Sequence, residues 1–154
     1  MGSAIVSALL APFGSLSPFM TGLVSPFLVN TLIFIIAQLK KDNSIVDIGW
    51  SFLFIIPNLL ALLKTHGGTF EWTPKQNLMF TLITIWGVRL SWHIGSRHTG
   101  VEDFRYQDMR RRWSAKGGQL FVLLMGFLYV FMMQAAFSVL INWASLKVSL
   151  NTEE

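Results

Sequence analysis

Trp92-His93-Ile94-Gly95-Ser96-Arg97-His98-Thr99-Gly100-Val101-Glu102-Asp103-Phe104-Arg105-Tyr106-Gln107, continuing to Arg110-Arg111-Arg112-Trp113, is a dense polar, charged and aromatic segment. It lies between two long apolar runs, about Leu78 to Ile94 and Leu120 to Leu146. Apolar runs of this length cross a bilayer, and the charged segment between them then lies at its surface. A short linker between membrane helices needs nothing so elaborate. Such a segment can bind an anionic ligand, grip a partner, or fix orientation in the bilayer.

Outward from this segment the pattern repeats. Two further apolar runs cover Phe19 to Leu39, with Pro26 as a kink, and Ile45 to Leu63. Each of the four runs approaches or exceeds the ~20 residues a spanning helix needs. Of the 154 residues, 53% are hydrophobic and 13% charged, against roughly 25% charged in a soluble domain. The expected fold is therefore all-α: an integral membrane bundle of four transmembrane helices over 19–39, 45–63, 78–94 and 120–146. A basic loop over 95–119 joins the last two, and the whole of 1–154 forms a single membrane domain. Met1 to Pro18 carries Pro12, Gly14 and Pro18, which break a long helix. It is expected to be a short irregular lead-in, interfacial or re-entrant. No Lys or Arg precedes Lys40, so neither a secretory leader nor an Arg-rich transit peptide is visible.

Charge gives orientation. The net charge of +4 is not a nucleic-acid signal, because the basic residues cluster in two loops. One holds Lys40 and Lys41. The other holds Arg97, Arg105, Arg110, Arg111, Arg112 and Lys116. With four spans both loops lie on one side, the cytoplasmic or matrix side, and both termini lie opposite. An endomembrane and the mitochondrial inner membrane both fit this pattern. The chain has no cysteine, which excludes disulfides, thiol catalysis and cysteine-ligated metal. His66, His93 and His98 lack ligand-like spacing, so no metal is expected. No Gly-x-Gly-x-x-Gly or Gly-Lys-Ser/Thr motif occurs.

Each span also carries polar residues at helical spacing. They are Asn30 and Gln38; Asp47, Ser51 and Asn58; Trp86, Arg89, His93 and Ser96; and Gln134, Ser138 and Asn142. Polar groups in hydrocarbon are costly and turn toward the bundle interior or a wet cavity, so the four stripes are expected to converge. At ~1.5 Å rise per residue, Asp47, Arg89 and His93 fall within ~10 Å of the inner surface. An Asp47 pairing with Arg89 or His93 is expected. It reads either as an ion pair that locks the bundle or as a proton donor or ligand contact.

In the basic loop, Arg105 and Arg110–Arg112 offer planar forks that suit phosphate. Glu102, Asp103 and Asp108 offset their charge and orient them, and Tyr106 and Trp113 supply faces for a ring to stack on. The set suits a nucleotide cofactor with an extra phosphate. It equally suits an anchor on anionic headgroups, each basic residue contributing about 1 kcal/mol at the surface.

Three blocks carry a family resemblance. Lys41-Asp42-Asn43-Ser44-Ile45-Val46-Asp47-Ile48-Gly49-Trp50, then Ile85-Trp86-Gly87-Val88-Arg89-Leu90-Ser91-Trp92-His93-Ile94, then Glu102-Asp103-Phe104-Arg105-Tyr106 resemble the uncharacterised membrane family allied to 3-oxo-5-alpha-steroid 4-dehydrogenases (steroid 5-alpha-reductases). The resemblance covers about Lys40 to Trp113. It implies an all-helical membrane fold and NADPH-dependent reduction of a carbon–carbon double bond conjugated to a carbonyl. It places Asp47, Arg89 and His93 as catalytic candidates, and Arg105, Tyr106, Arg110, Arg111 and Arg112 as contacts to NADPH. Members of that family are longer, and a later Ser-Arg-His-Pro-Asn-Tyr-type block helps to enclose the cofactor. Here Ser96-Arg97-His98 is followed by Thr99 and belongs to the earlier block. The reductases also use an acid and a tyrosine in their early helices. Asp47 can be the acid, but the third span contains no tyrosine.

The resemblance thus reaches the amino-terminal half of a reductase. Two classes of function follow. One is a membrane-embedded half-domain, not catalytic alone and completed by another chain. The other is a non-catalytic structural subunit of a larger membrane complex, packed in lipid against other membrane protein chains. No nucleic-acid partner is expected in either case. The topology itself is testable, since single cysteines can be added to a cysteine-free chain. Cysteines at Ser44 and Ser114 should label from one face of the membrane and one at Thr69 from the other. Labelling of 44 and 114 from opposite faces would refute the bundle.

Overall fold

The computed structural model describes residues 2–152. Met1, Glu153 and Glu154, which the expected domain includes, lie outside the described residues. Every regular element among the described residues is helical. Three helical segments are long and apolar enough to cross a membrane: Pro18–Lys40, Ile45–Thr65 and Phe104–Ile141. The chain is therefore a multi-pass integral membrane protein. The expected third span lies within α5 (Pro74–Gly95), whose 22 residues give about 33 Å. That is length enough, but Lys75, Gln76, Asn77, Arg89 and His93 leave it less apolar than the other three.

The lead-in is regular rather than irregular. It forms α1 (Gly2–Leu10) and a 3-10 turn at Ala11–Phe13. Pro12 and Gly14 end α1 as expected; they do not prevent it. The Lys64 ammonium donates to the carbonyls of Phe13 and Leu16, holding the turn against the end of α4 (Phe52–Thr65).

Helix α2 (Pro18–Lys40) begins with Pro at its first position and Ser17 as cap, whose hydroxyl accepts from the Met20 amide at 3.2 Å. It stops where Lys41 turns left-handed, with φ of 56°. The expected second span is two helices, α3 (Ile45–Gly49) and α4, separated at Trp50–Ser51. At this break the Ser91 hydroxyl donates to the Ile48 carbonyl at 2.7 Å and meets the Ser51 hydroxyl at 2.6 Å. Ser44, just before α3, is buried. Exposed Lys40, at the end of α2, is therefore the better labelling position.

The expected basic loop is largely helical. Asp103 caps α6 (Phe104–Met125) by accepting from the Arg105 amide at 2.9 Å. Tyr106, Met109 and Trp113, at i, i+3 and i+7, pack against Ala37, Val46, Val130 and Phe131. The helix breaks at Gly117 and Gly118, where φ of 67° at Gly118 suits only glycine. The apolar part then continues through a π-helical stretch at Gly126–Met132, α7 (Met133–Ile141) and α8 (Trp143–Leu150). So the expected fourth span is one apolar run but not one continuous α-helix.

The bundle is centred on α2 against α4. Pro57 lies inside α4 and lacks an N–H, which frees the Leu53 carbonyl four residues before it. Asn142, at the α7–α8 junction, donates its amide to that carbonyl at 2.9 Å. The same Asn142 accepts from Asn58 at 2.9 Å, and Ser149 donates to Asn58 at 3.0 Å. These groups are fully or almost fully buried. The polar stripes of the second and fourth spans do meet. The other two do not join them. In the first span each group has a nearer partner: Asn30 donates to the Phe131 carbonyl, and Gln38 to Asn43 at 2.8 Å. On α5, Trp86, Arg89, His93 and Ser96 lie on an exposed face. Asn142→Ala should lower stability by about 1–2 kcal/mol, the range of interhelical polar contacts in lipid. A thermal midpoint in detergent equal to wild type would show that the Leu53 carbonyl needs no donor.

Candidate functional site

The three resembling blocks meet at one end of the bundle. Two short segments do most of the joining, Asp42–Asp47 after α2 and His98–Arg110 after α5. The Asp42 carboxylate accepts from the Ser44 amide at 2.9 Å and pairs with His98 Nε2 at 2.9 Å. Glu102 accepts from the Asn43 amide at 2.9 Å through Oε1. The same carboxylate takes Arg110 in a two-pronged contact, Nη2 at 2.8 Å and Nε at 3.2 Å. Its side chain is only 9% exposed, which makes Glu102 the anchor of the α6 start. The middle block joins through Ser91, which bonds Ile48 and Ser51.

Asp47 sits at the centre. Tyr106 Oη donates to its Oδ1 at 2.8 Å, and Arg105 Nη2 donates to its Oδ2 at 3.1 Å. Arg105 is also held by Asp103, Nε to Oδ1 at 2.9 Å and Nη2 to Oδ2 at 3.2 Å. The Asp103 carboxyl lies below its ordinary pKa, first because the Arg105 side chain donates to it and then because the Arg105 amide does. Its contribution to the loop is therefore present above the ordinary carboxylate pKa and is lost as pH falls through the lowered one.

The expected Asp47 partners are replaced. Among the described residues no hydrogen bond or ion pair joins Asp47 to Arg89 or His93. Both are exposed on α5, and His93 reaches only the wall of a small cavity of about 260 Å3 beside Asp47. The reason is geometric. Tyr106 and Arg105 reach Asp47 from the helical α6, which a loop over 95–119 could not position.

Asp47, Ile94 and Arg105 also line a second, wider groove of about 570 Å3, completed by Trp50, Leu90 and Gln134. Its floor is polar and its walls are apolar. It lies between α3, the carboxyl-terminal end of α5, the start of α6 and the start of α7.

The arginines separate. Arg105 faces the groove. Arg110 is turned to Glu102. Arg111 and Arg112 are 77% and 72% exposed and pair with Asp108. The interleaved acids do orient the arginines. Tyr106, expected as a stacking face, is instead a buried donor to Asp47. Glu102 and Asp42 were not singled out as anchors. For Glu102 the signal was the order acid–acid–x–Arg–Tyr at Glu102–Tyr106, two acceptors followed by two donors; Asp42 lies outside it.

The chain belongs to the family described as "Protein of unknown function (DUF1295)", which matches residues 33–154. That match contains all three blocks and every residue of the groove. No curated protein and no solved structure matches the chain.

Asp47→Ala removes the acceptor of both Tyr106 and Arg105. Arg105 keeps about half its surface in water, so the loss should be about 1–3 kcal/mol rather than that of a fully buried pair. Folded yield and the thermal midpoint in detergent should both drop, and Asp47→Asn should recover part of the loss. A neutral Asp47→Ala would show that the three blocks hold together without it.

Proposed function

We propose that this chain is a membrane-embedded half-domain of reductase type. It binds the carbonyl end of an apolar molecule in the groove at Asp47 and does not catalyse alone. One observation carries the reading: the three blocks that resemble the steroid 5-alpha-reductase-like family meet around a single acid–phenol–guanidinium cluster at the floor of an apolar groove. An acid and a tyrosine, the pair that the resemblance implies, are thus neighbours, although the tyrosine comes from the start of α6 and not from the expected third span. Arg105 Nε and Nη2 are engaged by carboxylates, while its other Nη faces no described acceptor and can donate to a ligand oxygen. Trp50, Leu90 and Ile94 supply apolar walls for the rest of the molecule. Four spans complete the proposal, with α5 as the fourth, its charged inner end near the surface and its apolar middle in lipid.

NADPH, which the resemblance implies, does not fit these residues as one pocket. Arg105 and Tyr106 are tied to Asp47, Arg110 to Glu102, and Arg111 and Arg112 pair with Asp108 and do not line the groove. A hydride donor must sit at near-contact distance from its acceptor, and this set does not converge on such a place. The reductant is therefore assigned to another polypeptide half. The alternative, a non-catalytic structural subunit, has the exposed apolar face of α5 at Leu78, Leu82 and Ile85 in its favour, which a neighbouring helix or lipid would cover.

Two measurements test the proposal. Purified chain in nanodiscs should bind tritiated cholestenone, and Arg105→Gln should weaken that binding about tenfold, the value of one good hydrogen bond. The same chain should show no enone-dependent NADPH oxidation above an Asp47→Asn, Arg89→Gln control. Turnover by the chain alone, lost in the control, would overturn the half-domain reading. Absence of cholestenone binding would leave the subunit role.

A further inference from the structure

We infer that Gln134 reads the oxygen of the ligand and sets the specificity of the groove; this rests on the groove being the ligand site proposed above. Gln134 lines the groove together with Asp47 and Arg105. Its amide lies beside the Tyr106 hydroxyl. Its Oε1 is buried and accepts no hydrogen bond. A buried acceptor without a donor costs stability, so an unmatched one calls for an explanation. The other acceptors at the groove floor are already matched. Both Asp47 oxygens are taken, by Tyr106 and by Arg105, and Arg105 is braced by Asp103. A ligand thus meets a preset cluster with one open acceptor, Gln134 Oε1, beside the Arg105 Nη that faces no described acceptor. An acceptor needs a donor, so that position suits a hydroxyl on an otherwise apolar molecule.

The backbone explains why the residue is held there. Gln134 follows the π-helical stretch Gly126–Met132 by two residues. Each π turn rotates the following residues relative to a continuous α-helix, and such stretches are frequent at functional sites. The stretch is pinned from α2, where Asn30 donates to the Phe131 carbonyl. Phe131 itself is fully buried against Phe34. Gln134 is therefore aimed by a braced helix, not by a mobile loop.

The test compares cholesterol, whose hydroxyl can donate to Oε1, with its deoxy hydrocarbon cholestene, using wild-type chain and Gln134→Leu in nanodiscs. Wild type should favour the alcohol about tenfold by competition binding. Gln134→Leu should bind cholestene as wild type does and lose that preference. Its thermal midpoint without ligand should equal or exceed wild type, since the change removes an unmatched polar atom. A preference kept by Gln134→Leu but lost by Arg105→Gln would overturn the role of Gln134 and leave the ligand site standing. A lowered midpoint would overturn it too, by showing that the amide is a structural bond. If wild type binds neither compound, the ligand site itself fails.

Discussion

A carbonyl freed inside hydrocarbon has no water to turn to, and this constraint fixes how the helices of this protein pack. Pro57 frees the Leu53 carbonyl, and the π-helical stretch alters the ladder around Phe131. Both carbonyls are met by side-chain amides from other helices, Asn142 and Asn30. Each bond ties a helix irregularity to a partner, so the irregularities become registration points. The close approach of α2 and α8 fits the same scheme: at Gly22 a Cβ would lie 2.5 Å from the Leu146 side chain. Bulk on that helix face would push apart the elements that carry the amides.

The end of the bundle where the three blocks meet is organised by charge instead. Here the carboxylates do the joining. Glu102 holds Asn43 and Arg110, Asp42 holds Ser44 and His98, and Asp47 holds Tyr106 and Arg105. Acids from two segments far apart in sequence thus tie α2, α3, α5 and α6 together. Surface ion pairs contribute little, but Glu102 is almost buried and its contact with Arg110 is two-pronged, which favours geometry over mere attraction. The cluster supplies a rigid polar floor under a groove whose sides are apolar. That combination suits a small-molecule site, in which apolar walls give affinity and a few placed polar groups give orientation.

Much of this was legible beforehand. Apolar run lengths gave an all-helical membrane protein, and the interleaved acids announced that the arginines would be paired. All four polar stripes were expected to converge, and only the second and fourth meet, at Asn58 and Asn142. The Asp47 partner was misplaced because depth was counted along spans, with 95–119 taken as a loop. A loop has no defined reach, whereas the Asp103-capped α6 delivers Tyr106 and Arg105 to Asp47. The i, i+3, i+7 spacing of Tyr106, Met109 and Trp113 was present in the sequence, but the density of charge around it concealed a helix.

The sequence by itself determined that the chain enters a membrane and which segments carry its positive charge, because these depend on composition and order alone. Tertiary structure decided which acid meets which base, where the helices break, and that Gln134 is left with an open acceptor in the groove. These depend on how helices are rotated about their axes. That rotation is set by the carbonyls of Leu53 and Phe131 finding Asn142 and Asn30 across the bundle, a contact between residues too distant in the chain for any local pattern to specify.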